Sequence, residues 1–175
     1  MKRFIFGVMK EIRMKSIETQ TLLNQQIQDL YFLELESKNV LPKFKKASKD
    51  YVLKAALEDQ YITLNSNLHD LEQLAKKENI DLLQNECQGL KGIISKSELY
   101  LEEGPVSDSG ILSHIDRINQ YKTAVYNAAV RFAKELNYKA LYKDLENITN
   151  FTYNINDRLA RIADNQSDGH ILENL

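Results

Sequence analysis

Residues 116–126 read DRINQYKTAVY, and the order of apolar and polar side chains in this stretch decides what kind of structure the chain builds. Ile118 and Val125 lie seven residues apart, two turns of an α-helix, and the spacing continues on both sides through Ile111, Ile115, Ala129 and Phe132. Apolar residues recurring at three, four and seven positions form one face of a helix buried against neighbours. Asn119, Gln120 and Lys122 interrupt the inward face with two amides and an ammonium. Polar groups taken out of water need partners, so the interruption marks where a site is to be sought.

Working outward, the same periodicity returns three more times. From Thr21 to about Ala47 it is carried by Leu22, Leu23, Ile27, Leu30, Tyr31, Leu33, Val40, Leu41 and Phe44, with a kink or fraying expected at Pro42. A second helix is expected from Ser48 or Asp50, both good N-caps, to about Glu78. Residues 79–105 read as a shorter helical insert, softened by Gly89 and Gly92 and closed by Gly104-Pro105. The helix of the opening stretch starts after Ser107-Asp108-Ser109 and runs to Leu136, and a fourth spans about Tyr138 to Ala163. Helices of about 26 residues are roughly 40 Å long. The expectation is an all-α four-helix bundle over residues 21–163, with a short helical crossover between its second and third helices. Residues 1–20 are expected as a basic, solvated N-terminal segment and 164–175 as a loose tail.

Composition agrees with helices and removes several functions. The chain has 175 residues, 43% of them hydrophobic, but only 6 Gly and 2 Pro, too little turn chemistry for many short strands. A net charge of −2 gives no global reason to expect nucleic acid, although Lys2, Arg3, Lys10, Arg13 and Lys15 make the start locally basic. With one cysteine, Cys87, neither an intrachain disulfide nor a thiolate metal cluster can form, which suits a reducing cytoplasm. The apolar run of MKRFIFGVM is too short for an export signal, and no stretch approaches the roughly 20 apolar residues of a membrane span. The glycosylation sequons at Asn147, Asn150 and Asn165 are therefore read as chance.

A bundle with a long connection between its middle helices has one well-known chemical use, a metal pair held by a carboxylate from each of two helices and Glu-x-x-His from the other two. The three histidines, His69, His114 and His170, are preceded at that spacing by Ser66, Ile111 and Ser167, and Glu-x-x-Glu is also missing. His69 and Glu72 lie one turn apart on the polar side of the second helix and read as a surface pair.

The segments LYFLELESKNVLPKF, LKAALEDQY, DLEQL, NECQGLKGII and RINQYKTAVY resemble, in order and spacing, the YciE/YciF-like family of ferritin-like stress proteins. The resemblance covers about residues 22–163 and implies a ferritin-like bundle. The family's Leu-Tyr-x-x-Glu falls on Leu30, Tyr31 and Glu34, so one ligand position is kept. Its second-helix His-x-x-Glu-Thr-x-x-Gln falls on Gln60, Thr63 and Asn67, and its third-helix Glu-His-Tyr-Glu on Asn119, Gln120, Tyr121 and Lys122. The acidic pair of its fourth helix falls on Thr152 and Asn156. The resemblance thus implies a di-metal site whose ligands have become amides, hydroxyls and an ammonium, with no cofactor retained, since one carboxylate neither neutralises nor coordinates two divalent ions.

Two placements of Lys122 follow: inside the bundle and paired with Glu34, or snorkelling to the surface. Tyr31, Tyr121, Tyr126 and Tyr153 are expected near the same level, and Cys87 as a buried small hydrophobe. The leading expectation for function is a non-catalytic, stress-associated interaction or dimerisation module. A homodimer is expected because the first helix carries Phe32 and Leu35 beyond one inward stripe. The alternatives are a di-iron or di-manganese oxidase with an unusual ligand set drawn from Glu34, Glu36 and Asp59, or a binder of a small polar ligand in the bundle centre.

Overall fold

The computed structural model describes residues 2–83 and 87–173, with side chains for 13–83 and 87–165. Asn85, Glu86 and the side chains of Lys2, Arg3, Lys10 and His170 lie outside the described residues. Five helices follow in order: α1 (Lys2–Ala47), α2 (Tyr51–Glu78), α3 (Gln88–Glu102), α4 (Asp108–Glu135) and α5 (Lys139–Glu173).

Two boundaries differ from expectation. Helix α1 starts at Lys2 rather than near residue 21, and Thr19 is already buried, so the basic segment is the first part of a bundle helix. Helix α5 continues to Glu173, through the stretch expected as a loose tail. Pro42 stands inside α1 without ending it. Its ring faces solvent, where the Lys38 carbonyl that loses a donor can be hydrated.

The turns explain the order of the helices. Asp50 caps α2, its carboxylate accepting from the amides of Val52 at 2.6 Å and Leu53 at 2.9 Å. Ser107 caps α4 by accepting from Gly110 N at 3.1 Å. Asn79 and Asn137, at φ 55° and 59°, supply the left-handed residues that close α2 and α4. The turns between α1 and α2 and between α4 and α5 each have three residues, so each pair forms an antiparallel hairpin. The crossover, with α3 against α1 and α4, returns the chain to the α1–α2 turn, where Asp108 meets Ser48 at 2.6 Å. Helices α2 and α4 therefore run one way, and α1 and α5 the other.

The core is one cluster drawn from every helix, including Leu23, Ile27 and Phe44 of α1, Leu57 and Leu71 of α2, Leu90 of α3, Ile115 of α4 and Leu145 of α5. Helix α1 packs on α2 and α4, and α5 packs on α4 and α2, closing a four-sided bundle. The all-α four-helix architecture is the one its apolar stripes predict.

Candidate functional site

Halfway along the bundle the hydrocarbon gives way to a polar layer. Glu34 of α1 lies one turn from Leu30 on the inward stripe, and its side chain is 0% exposed. Across the core Lys122 of α4, 4% exposed in its side chain, places Nζ 2.5 Å from Glu34 Oε2. Of the two placements open to this lysine, the structure has the buried one. The other carboxylate oxygen, Oε1, accepts from Tyr126 OH at 2.9 Å and from Asn67 Nδ2 at 3.1 Å. Three helices thus converge on one carboxylate.

Beside the pair, Gln60 Nε2 donates to Asn119 Oδ1 at 2.7 Å, joining α2 to α4. Asn156 of α5 donates from Nδ2 to Thr123 Oγ1 at 3.1 Å. Thr63 and Thr152 bend their hydroxyls back onto the carbonyls of Asp59 and Ile148 in their own helices. Together with Leu64 and Ile155, residues Gln60, Thr63, Asn67, Asn119, Lys122, Thr152 and Asn156 line a small cavity of about 10 Å³.

Gln120 is the exception among the expected positions. It is exposed and donates to Asp116 Oδ1 at 3.2 Å. Residues 119, 122 and 126 follow helical spacing, whereas 120 is turned about 100° from 119 and leaves the face. Tyr126, expected near this level, belongs to the layer itself and continues the 119–122 spacing. Thr123 was not among the expected positions; it stands one turn after Asn119, so periodicity could have found it.

The tyrosines separate on the same ground. Only Tyr126 belongs to the layer; burial, then the Glu34 charge and the hydrogen bond to it, push its phenol well above the usual range. Tyr31 donates to Glu72 at 3.1 Å, so Glu72 pairs with a tyrosine rather than with the exposed His69. Tyr153 is 45% exposed and accepts from Asn127. Tyr121 lies 3.1 Å from the sulfur of half-buried Cys87, and that contact, followed by burial, pushes its phenol up to about 12.

A second buried polar group lies where α3 meets α4. His114 stacks on Tyr100 with ring centroids 4.6 Å apart, and its Nδ1 is 3.1 Å from Ser97 Oγ. Ser97 already donates to the Ile93 carbonyl at 2.9 Å, so it accepts from the ring and places the imidazole proton on Nδ1. Tyr100 also accepts from Ser107 N at 2.9 Å, and a Cβ at Gly110 would fall 1.9 Å from its hydroxyl, so a larger residue there would have to displace the Tyr100 ring.

The layer does not suit a metal pair. Among the described residues no group of three His, Cys, Asp or Glu side chains could hold a metal ion. The one carboxylate at this level already accepts from an ammonium, a phenol and an amide. Glu36 and Asp59 do not supplement it: Glu36 is only half-buried and Asp59 pairs with Arg158 on the outside.

The profile of the domain of unknown function DUF892 matches residues 18–171. The chain belongs to that family. Among solved structures, this DUF892 chain is similar to the Escherichia coli stress protein YciF, with 17% identity over 86% of this chain and 97% of that one and a TM-score of 0.80. It is also similar to YcfI from Rhodopseudomonas palustris, with 22% identity over 81% and 92% of the two chains and a TM-score of 0.75. At these identities the likeness is one of fold, and it agrees with the YciF-like, ferritin-like bundle that the sequence resemblance implies. No curated protein matches the DUF892 chain in sequence. Among the described residues no helix is long and apolar enough to cross a membrane.

Proposed function

We propose that this DUF892 protein is a non-catalytic ferritin-like bundle, retained as a stress-associated interaction or dimerisation module of the cytoplasm, in which an ion pair and an amide layer stand where relatives would hold two metals. The observation that carries the reading is that both oxygens of Glu34 are already engaged, accepting from Lys122, Tyr126 and Asn67. A divalent ion would have to displace an ammonium from the one anionic ligand that the described residues place at this level, and the neighbouring amides and hydroxyls offer no compensating charge. The description of YciF as a stress protein supports the physiological part of the proposal. Leu22 and Leu35 of α1, 36% and 37% exposed, give a second copy some apolar surface to cover.

The test is elemental analysis of protein purified from iron- and manganese-replete medium, followed by titration with ferrous iron under an oxygen electrode. The expected result is less than one tenth of a metal ion per chain and no oxygen uptake above buffer. One or two ions per chain with saturable oxygen consumption overturns the proposal. Light scattering tests the module's self-association: a dimer mass is expected, and a monomer mass at every concentration removes that part.

A further inference from the structure

The polar layer has unfinished hydrogen bonding in one place. Gln60 Oε1, Asn119 Nδ2 and Asn156 Oδ1 are buried and have no partner within the protein. Gln60 and Asn119 are 4% and 2% exposed, and all three residues line the same cavity. Buried polar atoms left without a partner cost about 1–3 kcal/mol each, so three around one space point to an occupant.

Chemistry and size together identify the occupant's class. Gln60 and Asn119 bond to each other with one amide hydrogen and one carbonyl oxygen. Exchanging N and O in both side chains leaves the remainder unchanged: one carbonyl oxygen and one N–H still face the cavity. Whatever binds must therefore donate and accept at once. A bare cation would meet the N–H and, on the same wall, the Lys122 ammonium. A halide would meet the unpaired carbonyl oxygen of the Gln60–Asn119 pair, whichever way that pair is assigned. Ammonium can donate but not accept. Water does both, and three partners are its usual number in a protein interior.

The space of about 10 Å³ is about what one water requires and leaves nothing for a second heavy atom. Resting on the metal-free reading of the site, we infer that the polar layer binds a single water molecule, which donates to Gln60 Oε1 and Asn156 Oδ1 and accepts from Asn119 Nδ2. That water is the third part of the metal's replacement. The Glu34–Lys122 pair supplies neutrality, the amides supply shape, and the water closes the hydrogen bonds the amides leave open. Thr63 and Asn67 line both this cavity and a surface groove of about 510 Å³ between α2 and α5, so the seam between these helices is its route of exchange with solvent.

The test uses the full chain. Oxygen-17 relaxation dispersion should count one long-lived water per chain, and a crystal structure beyond about 1.5 Å resolution should place it within 3.2 Å of the three atoms. Asn156→Leu, and separately Gln60→Leu with Asn119→Leu, should each abolish that one-water amplitude. The double change removes both amides together and so strands neither. Unchanged amplitude in both folded variants, or a cavity free of density in the parent crystal, overturns the water and leaves the proposed function standing. Anomalous scattering from iron or manganese at this place, in crystals of metal-loaded protein, overturns both.

Discussion

Glu34 and Asp108 each accept three hydrogen bonds, yet they house a negative charge in opposite ways. Asp108 sits half-buried at the bundle's end, where Oδ1 accepts from Ser48 Oγ at 2.6 Å and Lys49 N at 2.9 Å, and Oδ2 from Asp50 N at 3.1 Å. Two of those donors are backbone amides, which any residue would supply, and the first turn of α4 adds its own partial positive charge. Glu34 sits at mid-bundle among side chains 33, 88 and 92 residues away in sequence, and every donor depends on residue type. A carboxylate held by backbone can lose a neighbour's side chain with little consequence. One held by side chains has three points of failure, and one of them carries the neutralising charge.

The sharpest way to break the comparison is to remove that charge. Lys122→Ala should cost about 3–5 kcal/mol in denaturant unfolding, because Glu34 is left buried and unneutralised, while Lys122→Met with Glu34→Gln should cost much less than the single change. A near-neutral single variant would mean that Glu34 is not charged in the fold or that the lysine is dispensable. At the other extreme, Asp108→Ala should cost about 1–2 kcal/mol, since solvent can partly replace the lost bonds. Loss of amide-exchange protection should centre on Lys49 and Asp50. A cost equal to that of Lys122→Ala would erase the distinction between the two sites.

His114 is the intermediate case, a buried polar group that can shed its charge. Burial, followed by the positive fields of Arg117 and Lys96, holds its imidazole below the ordinary value. The unfolded chain then binds more protons between that lowered value and about 6.5, so stability is complete above pH 6.5 and falls as pH drops through the window. His114→Gln should flatten this part of the stability profile by less than one proton, under about 1.4 kcal/mol per pH unit. A slope that persists in the variant would assign it to another group.

The bundle was legible because its information is periodic. Stripes such as Leu53, Leu57, Leu64 and Leu71, with caps at Asp50 and Ser107, report the helices directly. The early start of α1 was not legible, because residues 13–18 are exposed on all faces and carry no inward stripe to read. The far end of α5 was not legible either, because its Asp, Asn, Gly and Ser composition suggests a loose chain, whereas the backbone stays helical to Glu173. For the site, matched positions led to eight residues that do meet and to Gln120, which helical phase alone would have turned outward. The missing partners of Gln60, Asn119 and Asn156 depend on side-chain rotamers, which no spacing in the sequence encodes.

The 88-residue separation of Glu34 and Lys122 also bears on the order in which the molecule assembles. Each hairpin closes through a three-residue turn, a fast local event, whereas this contact requires the two hairpins to dock across the whole crossover. Water must leave both charges during that docking, so the pair tightens after the helices have met. Its contribution should therefore lie in how slowly the halves part rather than how quickly they join. In a kinetic experiment, Lys122→Ala is expected to accelerate unfolding far more than it retards folding.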